Sequence, residues 1–340
     1  MLNDRRRSVL SALVDEYVAS VQPVGSKVLV QRYGLGCSPA TVRSELAALE
    51  ETGYVFQPHV SAGRIPTDSG YRAYVDDVVR PRVMGLPAPE VERIRRHYET
   101  VERELGEVLH ETSTLLSRLT SYVAVVVAPT LRRARIRRVT LVPLSLRRAL
   151  VVVVTDSGQV ADRAMEFEAD VTPEELSAVE AYLSGTLDGA VGAAAESVRE
   201  RIGQMSGRES AIALRAVDEV LDCLAEADAD RVLTGGVSAL LAHPEFSDPA
   251  MVRPLLVLLE DGLSMLQVLT DVMRTPDVEV RIGHENPSVA LGHTSFVAAR
   301  YGDDEMGGVV GVIGPTRMDY RRAMSAVKTV SDTLSGVLDA

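Results

Sequence analysis

The segment SPATVRSELAALEETG, residues 38–53, combines a strong helix-start signal with an unusually small polar face. On a helical wheel the larger apolar residues fall on one side, and Ala40, Arg43, Ser44 and Ala47 lie roughly opposite. Small residues let a helix approach another surface closely, and arginine can bind guanine O6 and N7 together in a major groove. The spacing therefore favours a helix that reads DNA bases.

The start of this helix adds two hydroxyl groups to the same region. Ser38 is placed as the N-cap and Pro39 as the first helical residue, so Ser38 and Thr41 can reach phosphates or base edges. The N-terminal dipole itself favours a phosphate. Taken alone, the helix is equally compatible with an ordinary solvated helix that carries one chance arginine.

The neighbouring segments favour the DNA-binding interpretation of this helix over that of an ordinary solvated helix. Apolar residues recur at helical spacing from about 4 to 20, and SKVLVQRYG at 26–34 predicts a second, shorter helix after the break at QPVG. After Gly53, two short extended pieces flank a Ser-Ala-Gly turn. Three helices followed by a hairpin predict a winged helix-turn-helix.

Further polar residues in this region are candidates for the DNA backbone. Arg64 follows Gly63 in the wing, where a cation could enter a minor groove or meet a phosphate, although a turn arginine in solvent is the simpler alternative. We expect four residues to read bases: Ala40, Thr41, Arg43 and Ser44. We expect four others to position the DNA backbone: Lys27, Ser38, Arg64 and Arg72.

The charge distribution restricts where a polyanion could bind. The chain of 340 residues has a net charge of −12, yet residues 1–75 contain eight basic and seven acidic residues. The acidic excess therefore lies entirely in the remainder, which repels nucleic acid. Any contact with DNA is expected from the N-terminal segment.

The middle of the chain begins with a possible coiled-coil seam. Apolar residues from Val91 to Leu119 alternate in steps of three and four, which is a heptad pattern over four repeats. A long helix that lies on a neighbouring sheet explains the pattern as well as an intermolecular coiled coil does. Strand-rich segments follow up to Val160, and Thr172 with Glu175 matches a capping box.

Catalysis has little support in the sequence. The six histidines show no metal-ligand spacing, and no nucleophile elbow or Walker A motif occurs. The two cysteines, Cys37 and Cys223, lie far apart, so no disulfide framework or cysteine zinc site is expected. No apolar stretch is long enough to cross a bilayer. We expect a cytoplasmic protein that is not an enzyme and has no metal, cofactor or membrane partner.

Four blocks of sequence resemble the family of heat-inducible transcription repressors called HrcA. They are QPVGSKVL, SPATVRSELAALEETGYVFQPHVSAGRIPTDSGYRAYVD, GGVSALLAHPEF and GGVVGVIGPTRMDY. The resemblance covers nearly the whole chain. It implies an α+β multidomain protein with an N-terminal winged helix-turn-helix and a GAF-like α/β domain that is interrupted by a helical dimerisation insert.

The resemblance also implies a function and its partners. Such a repressor binds double-stranded DNA at an inverted-repeat operator ahead of heat-shock chaperone operons, acts as a homodimer, and is released on heat shock. A GroEL-type chaperonin promotes its active form. The alternative is a regulator that uses the GAF-like domain to sense a small molecule. Two residues depart from the family pattern: Ser44, where asparagine is frequent, and Val60, where threonine is usual.

These expectations divide the chain into segments. The boundaries are 1–80 for the winged helix-turn-helix, 81–120 for a linker and long helix, 121–205 for the first part of the GAF-like domain, 206–276 for the inserted helical dimerisation domain, and 277–340 for the second part of the GAF-like domain.

Overall fold

The computed structural model describes residues 2–83, 85–99, 105–128, 135–155, 160–187, 197–202, 207–229, 232–269, 277–302 and 307–338. Helices and several sheets are mixed along the chain, as the α+β class predicts. The chain divides into two compact units. Unit 1 comprises Met1–Val127, Leu233–Tyr301 and Val309–Ala340, and unit 2 comprises Ala128–Val232 and Gly302–Gly308.

The elements are numbered in chain order. The α-helices are α1 (Asp4–Ser20), α2 (Ser26–Tyr33), α3 (Pro39–Glu51), α4 (Asp68–Tyr74), α5 (Ala88–Glu99), α6 (Leu105–Thr120), α7 (Pro173–Thr186), α8 (Arg208–Ala229), α9 (Pro249–Glu260), α10 (Gly262–Leu269) and α11 (Tyr320–Leu338). The strands are β1 (Val55–Phe56), β2 (Ile65–Pro66), β3 (Val123–Val127), β4 (Ile136–Ser145), β5 (Arg148–Thr155), β6 (Val160–Glu166), β7 (Val232–Gly235), β8 (Glu279–Ile282), β9 (Thr294–Tyr301) and β10 (Gly308–Pro315).

The N-terminal part of unit 1 contains the three helices and the hairpin at the predicted positions. Helix α1 begins after Asn3, whose side chain accepts a hydrogen bond from the Arg6 backbone N–H. It ends at Ser20, and the C-cap residue Val21 adopts a left-handed conformation with φ 57°. Strands β1 and β2 pair antiparallel, and Val24 adds a single bridge to Arg64. These contacts join the loop before α2 to the hairpin.

The predicted heptad seam is not one continuous helix. The Tyr98 hydroxyl lies 2.8 Å from Thr112 Oγ1, and His97 Nε2 lies 3.2 Å from Glu111 Oε2. Residues 14 apart on a straight helix would be separated by about 21 Å. Helices α5 and α6 therefore pack against each other, and their apolar face is buried inside unit 1 rather than available for a coiled coil. The seam residue Val101 lies outside the described residues.

The core of unit 1 is a five-stranded sheet with the order β7-β3-β10-β9-β8. Strand β10 pairs antiparallel with β3, and β8 pairs antiparallel with β9. Every residue of β3 and of β10 is buried, which explains why both segments read as nearly continuous apolar runs. Helices α6 and α11 pack on this sheet.

Unit 2 contains a separate three-stranded antiparallel sheet with the order β4-β5-β6. Its inner face shares a core with α7 and α8 that includes Val139, Val151, Leu183 and Val217. The capping box of Thr172 and Glu175 is confirmed at the start of α7. Alternating burial along β5 reflects one packed and one less buried face.

The compact insert differs from the predicted helical segment 206–276. It begins near Ala128, and β7 with helices α9 and α10 belongs to unit 1. The reason is strand pairing: β4, β5 and β6 pair only with one another among the described strands, whereas β7 joins the central sheet beside β3. In the described part of the chain, no helix is long and apolar enough to span a membrane.

Candidate nucleic-acid interface

Helix α3 presents the small face that the sequence predicts. Its opposite side is anchored in the protein core, with Val42, Leu46 and Leu49 almost completely buried. The residues of the small face are exposed to solvent: Ala40, Arg43, Ser44 and Ala47. The apolar side therefore fixes the helix, and the small side is left free for another molecule.

The start of α3 is held by its own hydroxyl groups. Ser38 Oγ accepts a hydrogen bond from the Thr41 backbone N–H at 3.2 Å and lies 3.0 Å from Thr41 Oγ1. Pro39 occupies the first helical position. Ser38 remains exposed while it caps the helix, so its oxygen can still accept or donate to a ligand.

Lys27 on α2 and Arg43 on α3 have no internal partner among the described residues. No carboxylate or hydrogen-bond acceptor of the described residues lies within bonding distance of the Arg43 guanidinium or of the Lys27 ammonium group. Both residues are exposed. Because their charges are not neutralised, both are available to an anionic ligand.

Two neighbouring acidic residues, Glu45 and Glu16, are paired within the protein. Glu45 pairs with Arg6 at 3.0 Å, which also ties α3 to α1. Glu16 is 5% exposed, and it accepts a hydrogen bond from Arg32 at 2.6 Å and one from the Tyr33 hydroxyl at 3.3 Å. Burial and the Glu16 carboxylate raise the pKa of Tyr33 to about 12, so this hydroxyl stays protonated. On α3 itself Glu45 and Glu50 are paired, whereas Glu51, its last residue, is exposed and has no ion pair among the described residues.

Arg64 was predicted to contact the DNA backbone, and the structure places it in an internal ion pair. Its Nε and Nη2 both donate to Glu50 Oε2, at 3.2 and 2.9 Å. Glu50 lies on α3, so the pair connects the hairpin to that helix. The Arg64 guanidinium is mostly buried, with 21% of the side chain exposed.

Arg72, the other predicted backbone contact, lies on α4 and faces the sheet of unit 1. It donates to Glu285 Oε1 at 2.9 Å and to the Val280 carbonyl oxygen at 2.6 Å. The hydrogen bonds with Glu285 raise the pKa of Arg72 above its ordinary value. Arg72 therefore contacts β8 and the residue Glu285 that follows it. It is not among the residues that we propose to contact DNA.

The turn that contacts the start of α4 is not predicted from the sequence. Asp68 accepts hydrogen bonds from the His284 backbone N–H at 3.2 Å and from His284 Nδ1 at 2.8 Å. Gly283 has φ 52°, and a Cβ built on it would lie 2.0 Å from Asp68 Oδ2. A glycine that precedes two polar residues in RIGHEN was the available signal, but nothing local indicates its partner.

Comparison with known proteins identifies the family. A family model described as the HrcA protein C-terminal domain matches residues 106–324. The heat-inducible transcription repressor HrcA of Beutenbergia cavernae is 39% identical, with 99% of both chains covered. The HrcA repressor of Pelotomaculum thermopropionicum is 38% identical over 99% of this chain and 97% of the relative. The chain belongs to the HrcA family.

These matches confirm the family that the four sequence blocks indicate. HrcA proteins are heat-inducible transcription repressors and not enzymes. The fold of this chain is also similar to that of a solved structure. A crystal structure of a protein described as hypothetical is 25% identical to this chain, with a TM-score of 0.64. The match covers 99% of this chain and 98% of that one.

Proposed function

We propose that this chain is a sequence-specific DNA-binding repressor of heat-shock chaperone operons. Residues 1–80 form a winged helix-turn-helix, in which α3 enters the major groove and the β1–β2 hairpin is the wing. The observation that carries the proposal is the unpaired Arg43 on the exposed small face of α3. A free guanidinium on a helix with small neighbours is suited to bidentate contact with guanine.

Each residue of this surface has a proposed role. Arg43 and Ser44 contact base edges, and Ala40 and Thr41 line the approach to them. Lys27 and Ser38 contact phosphates and so fix the register of the protein on the duplex. Neutralisation of Glu45 by Arg6 removes a repulsive charge from the same helix.

The repressor acts in the cytoplasm as a homodimer on an inverted-repeat operator. Two recognition helices of a dimer enter successive major grooves about 34 Å, or a multiple of one helical turn, apart. The central sheet of unit 1 corresponds to the GAF-like domain, and unit 2 corresponds to the dimerisation insert. The outer face of the β4-β5-β6 sheet supports this assignment, because it includes the exposed Val142 and Val160.

The base-reading role is tested by comparing Arg43→Ala with Lys27→Ala. The duplex is the region upstream of the protein's own operon that the wild-type protein protects in footprinting, and a random duplex of equal length is the reference. Arg43→Ala should cost about 1–3 kcal/mol on the operator and relax one base position, whereas Lys27→Ala should weaken both duplexes alike. Equal losses on both duplexes for Arg43→Ala would contradict base reading.

The heat response and the chaperonin are tested with the same gel-shift titration. Purified protein that has been heated and cooled should bind the operator poorly until a GroEL-type chaperonin and ATP are added. A marginally stable regulator suits this response, since a small loss of stability changes the active fraction several-fold. Full recovery without chaperonin would contradict this part of the proposal.

A further inference from the structure

The wing is attached to the recognition helix at its base. Arg64 donates twice to Glu50 of α3, and its backbone exchanges two hydrogen bonds of 2.9 Å with Val24. The guanidinium therefore bonds to the protein itself. The pair uses two of the five guanidinium N–H donors, neutralises the charge of Arg64 and fixes the distance between the wing and α3.

The contact at the base requires glycine at position 63. A Cβ built on Gly63 would lie 2.4 Å from the Val24 carbonyl carbon, so a side chain cannot fit without moving the backbone. Gly63 has no positive φ, and the requirement is one of close approach alone. The wing base is thus packed directly on the loop that precedes α2.

The tip of the wing is folded by one side chain. Gln57 Nε2 donates to the carbonyl oxygens of Val60 and Ala62, at 2.9 and 2.8 Å. A backbone hydrogen bond from Ala62 N–H to the His59 carbonyl oxygen, 2.8 Å long, closes the turn. The loop between β1 and β2 therefore has a defined shape although it is exposed.

The side chains that project from this tip include no lysine, arginine or carboxylate. Val60 is 99% exposed, and His59 and Ser61 are exposed as well. Residues 57–62, QPHVSA, contain no lysine, arginine or carboxylate. A tip without fixed positive charge gains little from phosphates, whereas small apolar and hydroxyl side chains fit the walls and floor of a minor groove.

We propose that Arg64 is a positioning residue and that the wing contacts DNA through its tip, with Val60 inserted into the minor groove beside the half-site read by α3. The Arg64–Glu50 pair holds the tip at a fixed distance from Arg43. This inference rests on the proposed DNA-binding function and adds a second contact to it.

The role of Arg64 is tested with Arg64→Gln, Glu50→Gln and the pair Arg64→Glu with Glu50→Arg. Each single variant should lower operator affinity about fivefold without changing the salt dependence, and the exchanged pair should recover most of the loss. The decisive variant is Glu50→Gln, because removing a negative charge beside DNA would otherwise raise affinity. Tighter binding by Glu50→Gln, or a salt slope lower by about 1 for Arg64→Gln, would make Arg64 a phosphate ligand.

The tip contact is tested with Val60→Glu against Val289→Glu. Val289 is 96% exposed and lies outside the N-terminal part of unit 1, so it is a matched control for an added surface charge. Val60→Glu should lower operator affinity about tenfold or more and abolish hydroxyl-radical protection of the flanking minor groove, with an unchanged melting temperature. The control should bind like the wild type.

The outcomes separate the two levels of the proposal. If the wild-type protein does not bind its upstream duplex, the proposed function fails and the wing has no role to test. If the wild-type protein binds and Val60→Glu retains both the affinity and the minor-groove protection of Val289→Glu, the wing-tip contact is refuted while the recognition helix stands.

Discussion

Arg317 binds both carboxylate oxygens of Glu245, at 2.6 Å from Nε and 3.3 Å from Nη2, and donates from Nη1 to the Val18 carbonyl oxygen at 2.7 Å. The arginine follows β10, and Val18 lies in the last turn of α1. Only 11% of the Arg317 side chain is exposed. This bidentate pair therefore joins the N-terminal helices of unit 1 to the central sheet.

Replacing Glu245 should weaken unit 1 in a pH-dependent way. Glu245→Gln leaves a mostly buried arginine without its countercharge, and it should lower the free energy of unfolding at pH 7 by about 2 kcal/mol. Burial raises the pKa of Glu245, but the hydrogen bonds from Arg317 more than offset it, so the pKa lies below its ordinary 4.5. The stabilising charge is then fully present above pH 4.5.

The measurement is urea unfolding of both proteins, followed by tyrosine fluorescence because the chain has no tryptophan. The wild-type advantage should be constant from pH 8 to pH 5 and should be lost as the pH falls from 4.5 through the lower folded pKa. An advantage that persists unchanged to pH 2 would contradict the ion pair as its source.

Removing the hydroxyl group should lower the stability of the protein at one buried tyrosine, Tyr74, and not at another, Tyr71. The Tyr74 hydroxyl donates to Asp15 at 2.5 Å and accepts from Arg321 at 2.8 Å, whereas the buried Tyr71 hydroxyl has no hydrogen-bond partner among the described residues. Tyr74→Phe should lower stability by about 1–2 kcal/mol, and Tyr71→Phe should leave it equal or higher. Thermal unfolding of the two variants side by side decides the matter. A comparable loss in both would mean that Tyr71 has a partner, such as an ordered water.

Adding a methyl group at Gly283 should lower the free energy of unfolding by more than the small size of the group suggests. Gly283→Ala places a side chain at φ 52° and within 2.0 Å of the Asp68 carboxylate, so we expect a loss of about 2 kcal/mol or more. The matched control is Gly106→Ala in α6, where a Cβ meets nothing within 4 Å. Because Gly106 lies in the first turn of α6, that control should change the free energy of unfolding by less than about 0.5 kcal/mol. Equal urea midpoints for both variants would show that the turn at Gly283 can accommodate a side chain without loss of stability.

The sequence was sufficient where the physical cause is local. The N-cap at Ser38, the buried side of α3 and the capping box at Thr172 depend on residues a few positions apart, and all three are found in the structure. The family resemblance likewise depends on contiguous blocks of sequence, and the comparisons confirm it.

The sequence was insufficient where a partner lies far along the chain. Local sequence spacing indicates Asp76 as a partner of Arg72, yet Arg72 also pairs with Glu285, 213 residues later. The sequence predicts residues 206–276 as helical, and it does not indicate that β7 lies within this segment and pairs with β3. Arg64 shows the limit at short range, since its partner Glu50 could be reached only after the hairpin had folded back on α3.

The outer face of the β4-β5-β6 sheet in unit 2 allows a test of the proposed homodimer. Val142, Leu150 and Ala164 are aligned across β4, β5 and β6, and they alternate with residues of the buried inner face. Charges placed on the outer face, in Val142→Glu with Val160→Glu, should raise the dimer dissociation constant by about 100-fold or more, because each unpaired carboxylate would have to be desolvated in an interface.

Deleting residues 206–276 would not test this interface cleanly, since the deletion also removes β7 from the central sheet. Light scattering of the doubly substituted full chain is the sharper measurement, with Leu241→Glu as the control because Leu241 is 69% exposed in unit 1. The double variant should become monomeric and lose cooperative binding to the inverted repeat, whereas the control should remain dimeric. A stable dimer in the double variant would assign dimerisation to another surface.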